Sequence, residues 1–170
     1  MRGVAAILIA VLAALVPSIG QAAGRSAAVF DFELVDTSAG DPRAAPNAEH
    51  QTRLAQVSER LRAKLAESGR FSIIDIASVD KEAHASNLQA CGGCDVTLAG
   101  RVGADLAITG SVHKVSNLIL NMIIFVRDAK TGNNVAVAQA DMRGDTDESW
   151  MRTVDWLVRN RLLDPERGVR

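Results

Sequence analysis

The chain has two cysteines, Cys91 and Cys94, and they stand together in the stretch CGGC. A C-x-x-C pair can serve as a redox centre, half of a metal site, a haem attachment or a plain disulfide. Covalent haem requires CxxCH, and residue 95 is Asp. A structural zinc requires four ligands, and only the scattered histidines His50, His84 and His113, or some acids, could complete the set, so no metal site is assigned. Two readings remain. One is a local Cys91–Cys94 disulfide that pins the end of one helix to the start of the next, closing a tiny loop worth about 2 kcal/mol. The other is a thiol–disulfide oxidoreductase, whose CxxC sits at a helix N-terminus where the dipole activates the first thiol. Here the pair precedes a very short helix, and Gly92-Gly93 loosens the loop. The disulfide is the simpler reading.

Other catalytic sets are hard to assemble. A serine nucleophile requires a partnered histidine. His50 opens a polar helix, His84 lies in a weak helix, and His113 ends a strand beside Lys114, so each reads as a surface histidine. Gly40-Asp41-Pro42 and Thr131-Gly132-Asn133 lack the spacing of a phosphate-binding loop, and neither GxGxxG nor GxSxG occurs. Asp31, between Phe30 and Phe32, is the one acid embedded in an apolar strand. It reads as an outward-facing residue that merits inspection for a perturbed pKa. No catalytic or cofactor-binding residue and no cofactor is assigned, and the expectation is a protein that is not an enzyme.

The elements that must position these residues follow a leader. Arg2 precedes a 13-residue apolar run, Val4 to Val16, and Gly20-Gln21-Ala22 offers small residues for cleavage. That is a secretory signal peptide over 1–22. The run is shorter than the ~20 residues a membrane span requires, so no stable membrane insertion is expected after cleavage. The formal net charge of −1 argues against nucleic acid as a partner. Aromatic residues make up 4% with no Tyr, so the core must be aliphatic.

Residues 23–170 read as one domain with its core over about 26–163. Residues 27–33 form a first strand, 36–47 a loop, and 48–68 an amphipathic helix with Leu54, Val57, Leu61 and Leu65 on one face. The charged residues of that helix, Arg53 among them, read as a solvated surface. A strand over 71–76, a weak helix from Ser78 to about Asn87, and a short helix over 95–102 come next. Strands over 105–112, 116–127 and 134–142 follow, the last two joined by a turn at 128–133. A C-terminal helix starts at Asp145 or Thr146, with Asp145 and Glu148 at capping-box spacing. Its docking stripe is Trp150, Met151, Val154, Val158 and Leu162, and the tail after Leu163 reads as frayed. The order β-α-β-α-α-β-β-β-α predicts an α/β (α+β) fold, with helices packed on a mixed sheet of about five strands.

AAVFDFE (27–33), GADLAITGSV (103–112) and IFVRDAKTGNNV (124–135), in this order, resemble the small domain at the amino terminus of TolB and the CsgG and FlgO type of envelope domain. That likeness implies the same fold. FDFELVDTS (30–38), LQACGGCD (88–95), HKVSNLILNM (113–122) and RGDTDESW (143–150) resemble an uncharacterised family of secreted bacterial proteins, a domain of unknown function. Asp145 stands where that pattern has Asn. The resemblance implies no catalytic residues. It implies a secreted periplasmic protein, a non-catalytic binding or accessory module with other envelope proteins as partners. Two alternatives stand beside it: an accessory factor of a periplasmic quinoprotein alcohol dehydrogenase, and the oxidoreductase using Cys91 and Cys94. Candidate partner contacts are His113, Lys114 and Asn117 between two strands, and Lys130 and Asn133 at the hairpin tip. The sequence assigns no oligomeric state.

Overall fold

A computed structural model describes residues 24–38, 46–166 and 168–169. The expected signal peptide lies outside the described residues. Six strands form one mixed sheet: β1 (Arg25–Val29), β2 (Glu33–Asp36), β3 (Phe71–Ile74), β4 (Leu106–Lys114), β5 (Ile119–Asp128) and β6 (Asn134–Arg143). The order is β3-β1-β4-β5-β6, with β2 also paired to β4. The helices are α1 (Ala48–Glu67), α2 (Asp80–Ala85), α3 (Cys94–Arg101) and α4 (Asp147–Leu157), the last continued by a π turn, Val158–Leu162. None of the helices among the described residues is long and apolar enough to cross a membrane.

The expected first strand divides in two. β1 runs parallel to β4 at Leu106–Ile108, and β2 at Ser111–Lys114, so both lie along the same side of β4. At the break, the Phe30 N–H donates to the Ile108 carbonyl at 2.9 Å, while the Phe32 N–H donates at 2.9 Å to the buried hydroxyl of Ser58 on α1. Two phenylalanines two residues apart thereby enter different cores. Phe32 lies against Gly110 so closely that a Cβ there would stand 2.4 Å from its ring.

The larger core lies between one sheet face and the helices α1 and α4. Leu54, Val57, Leu61 and Leu65 of α1 meet Trp150, Val154 and Leu157 of α4 and Leu120, Met122, Ile124 and Val126 of β5. Burying each such aliphatic side chain contributes about 1.5–3 kcal/mol. On the second face α2 and α3 cover only part of the sheet, where Ala28, Phe30 and Ala107 pack with Ala83, Leu98 and Ala99. α2 begins after Ser78, with Val79 at its N-cap and no side-chain cap. α4 is capped by Thr146, whose oxygen accepts from the Ser149 N–H at 3.2 Å; Asp145 is engaged elsewhere. The tail after Leu163 folds back instead of fraying. Val169 is buried, its N–H donates to the Leu162 carbonyl at 3.0 Å, and Arg70 donates to the Leu163 and Val169 carbonyls.

Candidate functional site

Cys91 and Cys94 are joined by a disulfide, with Cα atoms 5.8 Å apart. Gly92 and Gly93 take positive φ (72° and 116°), a region glycine enters without steric cost, and the chain turns directly into α3 at Cys94. The Cys94 N–H lies 3.1 Å from the Cys91 Sγ, and Cys91 is exposed.

The densest polar constellation lies elsewhere and was not anticipated. The Asp145 carboxylate is buried among four donors. Oδ1 accepts from Arg53 Nη1 and Trp150 Nε1, both at 3.0 Å, and Oδ2 accepts from His50 Nε2 at 2.7 Å and Lys114 Nζ at 3.0 Å. His50 stacks on Trp150 with ring centroids 6.2 Å apart. Arg53 also pairs with Asp147 at 2.6 Å and with Glu49, and Lys114 reaches Asp36 at 3.5 Å. Burial pushes the Asp145 carboxyl up, but the hydrogen bonds and charges of His50 and Lys114 outweigh it and hold its pKa below the usual carboxylate range. Burial likewise pulls the Lys114 ammonium down, and the Asp145 and Asp36 carboxylates more than compensate, leaving it raised.

Three expectations change here. His50 is a buried partner of Asp145 and not a surface histidine, and Arg53 is no part of a solvated face. Lys114 points inward, 7% exposed. A sequence signal for the first two existed: His50, Arg53, Leu54, Val57 and Leu61 continue one helical face at i, i+3, i+4, i+7 and i+11.

The cluster positions the turn between β4 and β5. The Asp145 N–H donates to the Asn117 carbonyl at 2.9 Å and the Gly144 N–H to the Leu118 carbonyl at 3.3 Å, while the Asp145 side chain holds Lys114. On the turn so anchored, Val115, Leu118 and Ile119 are 59%, 73% and 61% exposed. Ile119 continues into the face of β5 and β6 that carries Ile123, Phe125 and Val137, and Val137 is itself exposed. His113 and Asn117 are exposed beside this turn. Lys130 and Asn133 are exposed at the opposite end of the ten-residue β5, roughly 30 Å away at strand rise. The five expected contact residues therefore do not form one patch.

A second polar group surrounds Asp31 in the β1–β2 break. Its Oδ1 accepts from Arg62 at 2.5 Å, and its Oδ2 lies 3.2 Å from His84 Nε2. His84 Nδ1 is 2.9 Å from the Asp80 carbonyl oxygen. That backbone hydrogen bond leads in raising the His84 pKa, over the opposing effect of burial and with help from the Asp80 and Asp31 charges. Nearby, Glu33 accepts from the Leu88 N–H at 2.7 Å through Oε1, and burial pushes its carboxyl up.

An open mixed sheet with helices on both faces is shared with solved structures of low sequence identity. The LpoB C-terminal domain from Salmonella enterica is 18% identical at a TM-score of 0.51, covering 74% of this chain and 87% of that one. The lipoprotein GNA1162 from Neisseria meningitidis is 16% identical at 0.50, covering 71% and 81%. A PelC variant dodecamer from Paraburkholderia phytofirmans is 13% identical at 0.50, covering 88% and 92%. These likenesses establish the fold alone. No curated protein matches the chain. The chain belongs to the family DUF3280, described as a protein of unknown function (DUF2380), whose pattern matches residues 25–162.

Proposed function

We propose that this protein is a secreted, periplasmic, non-catalytic binding module of the cell envelope that engages a protein partner through the β4–β5 turn. The carrying observation is that Val115, Leu118 and Ile119, within five consecutive residues, stand exposed on a turn held by a buried ionic cluster. An exposed apolar group on a rigid support marks an interaction surface, because its docking cost in lost freedom is already met by the fold. His113 and Asn117 supply polar edges to the same surface. The signal-like leader, and a fold shared with the lipoprotein GNA1162, support placement in the envelope. Lys130 and Asn133, at the far end of β5, lie outside this surface. The test compares crosslinked partners of the wild type and of a Leu118→Asp/Ile119→Asp variant in periplasmic extract. A partner captured equally by both refutes the assignment of this surface. Resemblance to the secreted family suggests a quinoprotein alcohol dehydrogenase system as one the module serves; normal growth of a deletion strain on alcohols would exclude that.

A second reading has its own observation. The exposed Cys91 sulfur faces the Cys94 N–H at the start of α3, the placement that stabilises a thiolate in a disulfide oxidoreductase. A reduction potential below about −300 mV would mark the bond as structural and exclude this reading.

A further inference from the structure

We propose that Asp31, Asp80 and His84 form a site for one divalent transition-metal ion, with zinc as the best-matched occupant. The three residues come from the β1–β2 break and from two positions one turn apart on α2, so their side chains converge although the sequence scatters them. One ligand atom from each lies within 4.8 Å of the others. A tetrahedral zinc bonded at about 2.0–2.2 Å holds its ligand atoms roughly 3.3 Å apart. The 3.2 Å between His84 Nε2 and Asp31 Oδ2 is already one such edge.

The hydrogen bonding around the site prepares it for a cation. His84 Nδ1 lies 2.9 Å from the Asp80 carbonyl oxygen and 3.3 Å from Asp80 Oδ1, and when it donates to the carbonyl the neutral imidazole turns its Nε2 lone pair on the Asp31 carboxylate. Two electron-rich atoms at that distance require a proton or a metal between them. Fixing the histidine tautomer through a backbone carbonyl is how metal-bound imidazoles are oriented. Arg62 occupies only Oδ1 of Asp31, leaving Oδ2 for the metal and orienting the carboxylate from behind.

A separate observation concerns the space beside the cluster. Asp31, Asp80, His84 and Glu33 line a cavity of about 90 Å³. That is room for water beside the cluster. Glu33 Oε2 is buried without a hydrogen-bond partner among the described residues. A metal-bound water in this cavity is the donor that such an oxygen lacks. One imidazole with two carboxylates suits zinc and its first-row neighbours, whereas an all-oxygen set would suit magnesium or calcium.

The experiment is calorimetric titration of the oxidised, tag-free mature chain with zinc sulfate, alongside the visible spectrum after cobalt(II) addition. The expected result is one ion per chain and an intense tetrahedral cobalt band. His84→Ala and Asp31→Asn each weaken zinc binding at least tenfold while melting cooperatively without metal, and magnesium gives no heat of binding. Absence of saturable zinc binding overturns the proposal. So does binding of wild-type strength in His84→Ala, which would place the ion elsewhere.

Discussion

Replacing Asp145 with alanine removes the acceptor on which four buried donors converge. Hydrogen bonds to a charged group contribute about 1.5–3 kcal/mol each, but they do not add here. Arg53 keeps Asp147 and Glu49, and Lys114 keeps the longer contact to Asp36. What remains is the penalty for a broken buried ion pair, about 3–5 kcal/mol. For a domain of this length each kcal/mol lowers Tm by roughly 2–4 °C, so Asp145→Ala should melt roughly 10 °C below the wild type. The carboxyl is held below its ordinary pKa, so its stabilisation is fully present above the unfolded value of about 3.9 and is lost as pH falls through the folded value. Urea denaturation of both proteins from pH 3 to pH 5 should give a gap that narrows below pH 4. A loss under about 1 kcal/mol at pH 7, or a gap that widens in acid, would refute the assignment of this cluster as the lock on the β4–β5 turn.

Gly110→Ala should cost about 1–3 kcal/mol in chemical denaturation, because the new Cβ meets the Phe32 ring at 2.4 Å and the ring must move within a filled core. Cys91→Ser/Cys94→Ser should lower stability by at most about 2 kcal/mol, since so small a loop constrains the unfolded chain little. Thiol titration of the denatured wild-type protein should find no free thiol. Glu33→Gln keeps an acceptor for Leu88 and removes a carboxylate that burial disfavours. Wild-type stability therefore declines as pH rises from the unfolded Glu33 pKa to the raised folded one, and the variant should lack that decline in pH-dependent melts.

Much of the fold was legible because period and punctuation agreed. The face Leu54, Val57, Leu61, Leu65 fixed α1 to within a residue of its observed ends, and DAKTGN marked the β5–β6 turn. The division of the first strand was not legible. It depends on Ser58, twenty-six residues away, accepting the Phe32 N–H, and no local pattern reports that bond. Asp145 and Thr146 both suit the helix start by residue type; the buried cations of α1 and β4 engage Asp145 and leave the cap to Thr146. The docked tail was missed because DPERGVR is polar, and its support comes from Arg70 of the β3 approach. At the candidate surface, the exposure of Leu118 was hidden by its place in an alternating run that reads as continuous strand. β5 begins one residue later, at Ile119, and Leu118 stays on the turn.

The binding account is tested most directly by a photoreactive amino acid incorporated at position 118 in living cells, with the exposed position 81 on α2 as control. The account predicts a discrete crosslinked adduct to one envelope protein from position 118 and none from position 81. No adduct at position 118, or the same adduct from both positions, would contradict it.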